Sequence, residues 1–274
     1  MIRDITLGQY YEADSVIHRL DPRVKLAFTL IYIVSLYVGE GVLAFVTAAS
    51  FLAVVIILSK VPVSFMLRGL KGIFILMIIS VLFNLFLTDG EVIFRWWILR
   101  ITKEGIRLAV RMVVRLMLLI MGTSIMTLTT TPSRLTDGLE KAFGFLKIFH
   151  VPVHAVAMMM SIALRFIPIL IEEVNKIMKA QQARGADFEN GGLIKKAKAM
   201  IPLLIPLFIS AFRRADDLAN AMEARCYHGG DGRTKLHPLK YRKRDAIAYT
   251  VLFLYLAAII LLRIFTADLI NIVP

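Results

Sequence analysis

The chain has 274 residues, 58% of them hydrophobic and only 19% charged, and its mean hydropathy of +0.72 excludes an ordinary water-soluble domain and makes membrane insertion the first inference. The formal charge of +13 would suit nucleic-acid phosphates, but residues 129–245 are rich in Lys and Arg in the way that cytoplasmic segments of membrane proteins are, so no nucleic-acid partner is expected. One cysteine, Cys226, excludes an internal disulfide.

The first 23 residues are mixed polar and charged, with no basic segment leading into an apolar run and a small-residue cleavage site, so no cleaved signal peptide is expected. Asp21-Pro22 offers a cap followed by proline at the first helical position, which starts an apolar helix running to Val38. Gly39-Glu40-Gly41 breaks it, and a second helix spans Val42 to Leu58. Lys60, Pro62, Arg68 and Lys71 mark the next boundary. A third span runs from Gly72 to Leu87, a fourth from Leu108 to Thr131, where Thr-Pro at 131–132 stops it, and a fifth from Ala246 to Phe265.

Residues 133–244 differ in kind. Ser133 to Phe149 reads as a short amphipathic helix capped by Ser133, and Val153 to Arg184 and Leu193 to Arg225 as two long helices separated by Asn190-Gly191-Gly192. Each long helix is roughly 50 Å by the helical rise, and each begins apolar and ends polar, which suits a path from the bilayer to a soluble partner. The expected fold is all-α: a polytopic membrane protein of about five transmembrane helices with no barrel. It divides into an N-terminal membrane domain (1–132, about four spans), a cytoplasmic module (133–244) and a C-terminal transmembrane helix (245–274).

Arg3, Arg19, Arg23 and Lys25, the 60–71 loop and the basic 133–244 region all fall on one side of this topology, which places the N-terminus in the cytoplasm. The basic loop carrying Arg95, Arg100, Lys103 and Arg107 falls on the other side, against the rule.

The two long helices end alike. Ala180-Gln181-Gln182-Ala183-Arg184-Gly185 and Ala221-Met222-Glu223-Ala224-Arg225-Cys226 share Ala-x-x-Ala-Arg, with the arginines 41 residues apart. Small alanines keep a helix end slim enough to enter a groove, and a planar guanidinium can pair bidentately with a carboxylate there. Two such ends imply two receptors.

Together with Asp21-Pro22-Arg23-Val24-Lys25, Thr131-Pro132-Ser133 and Ala163-Leu164-Arg165-Phe166-Ile167-Pro168, these endings resemble, in order and over nearly the whole chain, the transmembrane (T) components of energy-coupling factor (ECF) transporters, a branch of the ABC transporters. The resemblance implies a multi-pass subunit of the bacterial cell membrane that works with two ABC-type ATPases and a substrate-binding S component in the uptake of vitamins or other micronutrients. It also implies that the long helices are crossing coupling helices whose tips, Ala183, Arg184 and Gly185 and Ala224, Arg225 and Cys226, dock in the ATPases. Cys226 stands where the family has glycine, which leaves the cap geometry there open. Asp21, Pro22, Arg23, Lys25, Arg165 and Pro168 hold structural or coupling positions in the same pattern. No Gly-x-x-x-x-Gly-Lys-Ser/Thr loop occurs, so ATP and magnesium are expected on the partner subunits, no cofactor on this chain, and no enzymatic activity of its own. A shared vitamin-importing module and a dedicated biotin or nickel/cobalt importer both fit.

Other residues carry competing readings. His150 and His154 are four apart, but Pro152 lies between them and no third ligand is near, so no metal is expected. Cys226 and His228 read as a helix-end thiol and a loop imidazole. Arg107, Arg111 and Arg115 repeat every four residues: the first two suit snorkelling to headgroups, while Arg115 is deep enough to need a partner. Met158-Met159-Met160 reads equally as an adaptable docking surface or as packing. A polytopic enzyme would need convergent acid, base or metal groups in the spans, and a stand-alone secondary transporter would need inverted repeats at mid-membrane; the one repeat here lies in the 133–244 region.

Overall fold

A computed structural model describes residues 10–39, 41–96, 99–186, 188, 192–229 and 238–272. The backbone forms eight α-helices and one short hairpin among these residues, and it divides into two units, one within residues 8–138 and 239–274 and the other within residues 139–238.

In the first unit, α1 (Pro22–Val38) starts as the sequence dictates: the Asp21 carboxylate accepts from the Arg23 amide and Pro22 occupies the first turn. Gly39 ends it. Helix α2 (Val42–Ser59) and α3 (Val63–Leu87) follow, then an antiparallel hairpin of β1 (Val92–Trp96) and β2 (Leu99–Thr102). Helix α4 (Lys103–Thr129) begins directly after β2, with Thr102 as its cap: the Thr102 hydroxyl accepts from the Gly105 amide and donates to the Thr88 carbonyl. The last helix of the unit, α8 (Lys243–Ile272), returns at the end of the chain.

The core lies where α1, α2, α4 and α8 meet, built from Tyr32, Leu36, Ala44, Ala48, Leu52, Leu118, Ile125, Leu252 and Ile259. Aromatic rings stack through it: Phe51 lies 4.1 Å from Tyr255 and 5.1 Å from Phe28, centroid to centroid. The Ser35 and Tyr255 hydroxyls of this layer are satisfied internally, as hydrocarbon surroundings require: they lie 2.6 Å apart, and Ser35 donates to the Tyr32 carbonyl. Close approach of α4 to α1 depends on Gly122, since a Cβ there would sit 2.5 Å from the Tyr32 ring.

In the second unit, α5 (Pro132–Ala142), which carries the boundary between the units, passes into a 3-10 turn (Phe143–Phe149), then α6 (Val153–Ala183) and α7 (Leu193–Glu223). Pro168 stands inside α6, and Pro202 and Pro206 inside α7.

Five helices among the described residues are long and apolar enough to cross a membrane: Val42–Ser59, Gly69–Leu87, Lys103–Thr129, Val153–Ala183 and Lys243–Phe265. The chain is thus an all-α polytopic membrane protein. The set differs from the sequence expectation in two members. Helix α1, at 17 residues, is shorter than the others, about 25 Å by the helical rise, whereas the first half of α6 is apolar enough to qualify despite its charged end. Two local expectations are corrected. The basic segment 92–102 is a hairpin, with strands too short to show an alternating pattern. Ser133 lies inside α5, not at its cap, because Pro132 already occupies the first helical position, and the expected single helix to Phe149 changes to 3-10 geometry after Ala142.

Candidate functional site: two matched helix tips

The ends of α6 and α7 are built alike, hydrogen bond for hydrogen bond. At the first, the Gly185 amide donates to the Gln182 carbonyl at 2.9 Å and the Ala186 amide to the Gln181 carbonyl at 3.0 Å. At the second, the Cys226 amide donates to the Glu223 carbonyl at 2.8 Å and the Tyr227 amide to the Met222 carbonyl at 3.0 Å. Each is a Schellman closure, in which two amides beyond the helix turn back onto the last free carbonyls.

That closure needs one residue in the left-handed region. Gly185 supplies it at φ +88°, and Cys226 at φ +54°. The cap geometry that the sequence left open is therefore the same at both ends, and the second tip carries a Cβ where it costs roughly 1 kcal/mol. The reason is local: the 6→1 bond to Met222 cannot form unless residue 226 reverses the chain.

The result is a pair of blunt helix ends. Ala183, Arg184 and Gly185 are exposed, as are Ala224, Arg225 and Cys226. Neither Arg184 nor Arg225 has an ion-pair partner among the described residues, so both guanidiniums are available to a partner's carboxylate or carbonyls. The Cys226 thiol is free.

Behind the tips, α6 and α7 hold each other through an ion pair, Arg214 Nη2 to Glu173 Oε2 at 3.6 Å. From that contact a shared apolar cavity of about 270 Å³ runs between Ile162, Phe166 and Leu170 on α6 and Ala215, Leu218 and Met222 on α7. It extends toward the start of α6 but the end of α7, so the helices run antiparallel here and the two tips lie on opposite sides of the ion pair. Sequence reasoning missed this pair, because two charges 41 residues apart reveal nothing until the helices are placed together.

The other predicted residues fall elsewhere. Asp21, Arg23 and Lys25 work within the first unit. The Arg23 side chain donates to both Asp21 carboxylate oxygens at 3.0 Å and stacks 3.9 Å from the Tyr241 ring centroid. The buried Lys25 ammonium donates to the Thr129 carbonyl, the Thr130 hydroxyl and the His18 carbonyl, joining α1 to the end of α4. Pro22 packs beside Gly138 of α5. Arg165 and Pro168 are exposed on α6.

A residue not singled out from sequence, Asp245, is 2% exposed and accepts from two helix-start amides at once: Asp21 at 2.9 Å and Arg242 at 2.8 Å. It thereby ties the beginning of α1 to that of α8. His154 lies 2.9 Å from the Glu140 carboxylate, and no group of three or more His, Cys, Asp or Glu among the described residues is placed to hold a metal ion.

Comparison with known proteins decides the family. Residues 13–236 match the model of the cobalt transport protein family, CbiQ. The energy-coupling factor transporter transmembrane protein EcfT of Clostridium kluyveri is 52% identical over 266 residues, covering 96% of this chain and 98% of that protein. The chain belongs to the EcfT family of ECF transporter T components. The EcfT proteins of Ruminiclostridium cellulolyticum, 47% identical over 96% of the chain and 98% of that protein, and Lactococcus lactis subsp. cremoris, 45% identical over 90% and 93%, agree. These relatives are named as transporter membrane components, not as enzymes, and the five apolar helices fit an integral membrane protein.

Proposed function

We propose that this T component is the coupling subunit of an ECF-type ABC importer, transmitting the movements of two cytoplasmic ATPases to an S component that binds a vitamin or another micronutrient. The observation that carries the reading is the pair of matched tips. Two identical, exposed Ala-Arg ends, each stopped abruptly by a Schellman closure, fit two copies or close relatives of one receptor better than any single ligand. ATP and magnesium are held by the ATPases, and this chain supplies no cofactor site.

In this reading Arg184 and Arg225 enter grooves of the two ATPases, flanked by Ala183 and Gly185 and by Ala224 and Cys226. ATP-driven closure moves the tips, and because Glu173 and Arg214 join the helices between them, displacement of one tip turns α6 against α7. Asp21, Pro22, Arg23 and Lys25 fix the start of α1 within the first unit, and Arg165 and Pro168 shape α6. The N-terminus and the two tips, at the polar ends of α6 and α7, face the cytoplasm of a bacterial cell membrane. The matched family's description as cobalt transport favours a second reading of the cargo, a dedicated metal importer, in which the tips do the same work.

Affinity capture of the detergent-solubilised chain with its cognate ATPases tests this. Truncating one partner of a desolvated charge pair costs about 2–5 kcal/mol, so Arg184→Glu or Arg225→Glu weakens capture and the double variant abolishes it. Full recovery with a folded double variant would remove the tips as docking sites.

A further inference from the structure

The arginines at the start of α4 stand on a groove that the coupling role does not use. It is formed within the first unit by Val42, Phe45, Val46 and Ala49 of α2 and Val110 and Val114 of α4, with Arg107, Arg111 and Gly41 at its mouth, and holds about 540 Å³. The residues on each wall are spaced by three and four, so one stripe of each helix faces the groove. Val42, Val46 and Val110 are all more than half exposed, on helices that are long and apolar enough to cross the bilayer. The walls therefore suit hydrocarbon.

The mouth is cationic from three directions. Arg107 and Arg111 have no carboxylate partner among the described residues. The acid in the first turn of α4, Glu104, is turned away, accepting from the Glu91 amide of the hairpin side at 2.8 Å. Helix α2 begins at Gly41 with no side-chain cap, so its first amides present the positive end of the helix dipole at the same place. Arg115, one turn deeper, is already occupied by rings: its guanidinium lies 5.0 Å from Tyr37 and 5.6 Å from Phe45. That leaves the two outer arginines, roughly 6 and 12 Å along α4 from its start by the helical rise, at headgroup depth and just below.

We propose that this groove is a binding site for an anionic phospholipid, its phosphate held by Arg107, Arg111 and the uncapped start of α2, and one acyl chain lying along Val46, Ala49 and Val114. A free anion would use only the mouth and a zwitterionic lipid would bring its own cation to it; an anionic diacyl lipid matches both the charge and the apolar walls. The site also gives Arg107, one of the basic residues on the side of the membrane where the charge rule does not expect them, a ligand to hold.

The test is native mass spectrometry of the full-length chain, released from detergent and titrated with dioleoyl phosphatidylglycerol, dioleoyl phosphatidylcholine or inorganic phosphate. Wild type retains phosphatidylglycerol in preference to phosphatidylcholine. Arg107→Gln and Arg111→Gln each reduce that preference about fivefold, and Lys103→Gln, which removes a charge at the same helix end but outside the groove, leaves it unchanged. Ala49→Phe, which fills the groove and keeps both arginines, weakens the lipid without altering any response to phosphate. Equal retention of the two lipids by wild type, equal loss in Lys103→Gln, or undiminished lipid binding in Ala49→Phe would each overturn the site and leave the groove to a partner's transmembrane helix or to non-specific charge.

Discussion

Glu173 and Arg214, the ion pair between α6 and α7, each lie eleven residues before the arginine that ends its own helix. They are thus equivalent positions in the two Ala-Arg repeats, brought face to face. Each tip stands about 16 Å along its helix from the shared contact, on opposite sides of it, so the two arms are of equal length. In the proposed coupling role, equal arms would turn two identical displacements at the tips into rotation about the contact.

The ion pair is partly exposed and therefore worth about 0.5–1 kcal/mol. Its geometric role predicts more than its energy. Glu173→Arg or Arg214→Glu alone places like charges together at the contact and lowers transport by the reconstituted importer. The exchange variant carrying both restores the pair and recovers most of the activity. Transport assayed in proteoliposomes checks this, and an exchange variant no better than either single one would remove the contact as a pivot.

Cys226→Gly relieves a left-handed side chain without disturbing the Met222 closure. It is expected to stabilise the protein by about 1 kcal/mol, while Gly185→Val, which adds a branched side chain at φ +88°, destabilises its tip by more. Thermal unfolding in detergent measures both, and ATPase capture by Cys226→Gly stays at least at wild-type level.

Asp245→Ala leaves the amides of Asp21 and Arg242 without acceptors at a buried site. The expected loss is about 2–6 kcal/mol, from roughly 1–3 kcal/mol for each of the two orphaned amides. Asp245→Asn keeps one acceptor oxygen and loses less. Thermal unfolding of both variants orders these values, and equal melting of wild type and alanine variant would mean that the two helix starts are not held by this carboxylate.

His18 sits outside the apolar spans, 3.0 Å from the Tyr11 carbonyl and 2.7 Å from the Ser15 hydroxyl. Burial is the main cause holding its imidazole below the ordinary value of 6.5, only partly opposed by the bond to Tyr11. The folded state therefore binds a proton less readily than the unfolded one. Stability is intact above about 6.5 and declines as pH falls through that value toward the lower folded pKa. His18→Gln removes this component, so the difference in melting temperature between pH 7.5 and 5.5 should be smaller in the variant than in wild type.

Much of this architecture was legible along the chain because local chemistry decides it. Asp21-Pro22 caps α1, Gly39 ends it, and Thr131-Pro132 separates α4 from α5, each within a residue or two of its reading. The 92–102 hairpin was not legible, since four- and five-residue strands leave too little alternation to distinguish them from a loop. The charges at the far end of α6 hide how apolar its first part is, long enough to cross a membrane. The tips were readable as repeated strings, but their equivalence in three dimensions rests on Cys226 accepting a conformation that its residue type disfavours. Glu173–Arg214 and the Asp245 tie join residues distant in sequence, and only packing reveals them.

The most direct test of coupling measures the distance between the two arms. In a Cys226→Gly background, spin labels at Gln182→Cys and Glu223→Cys, exposed and equivalent positions just behind the tips, report their separation in the assembled importer by pulsed electron resonance. If the tips follow the ATPases and α6 turns against α7 at Glu173 and Arg214, the distance distribution shifts between nucleotide-free and ATP-bound complexes. An identical distribution in both states, in complexes that still transport, would contradict it.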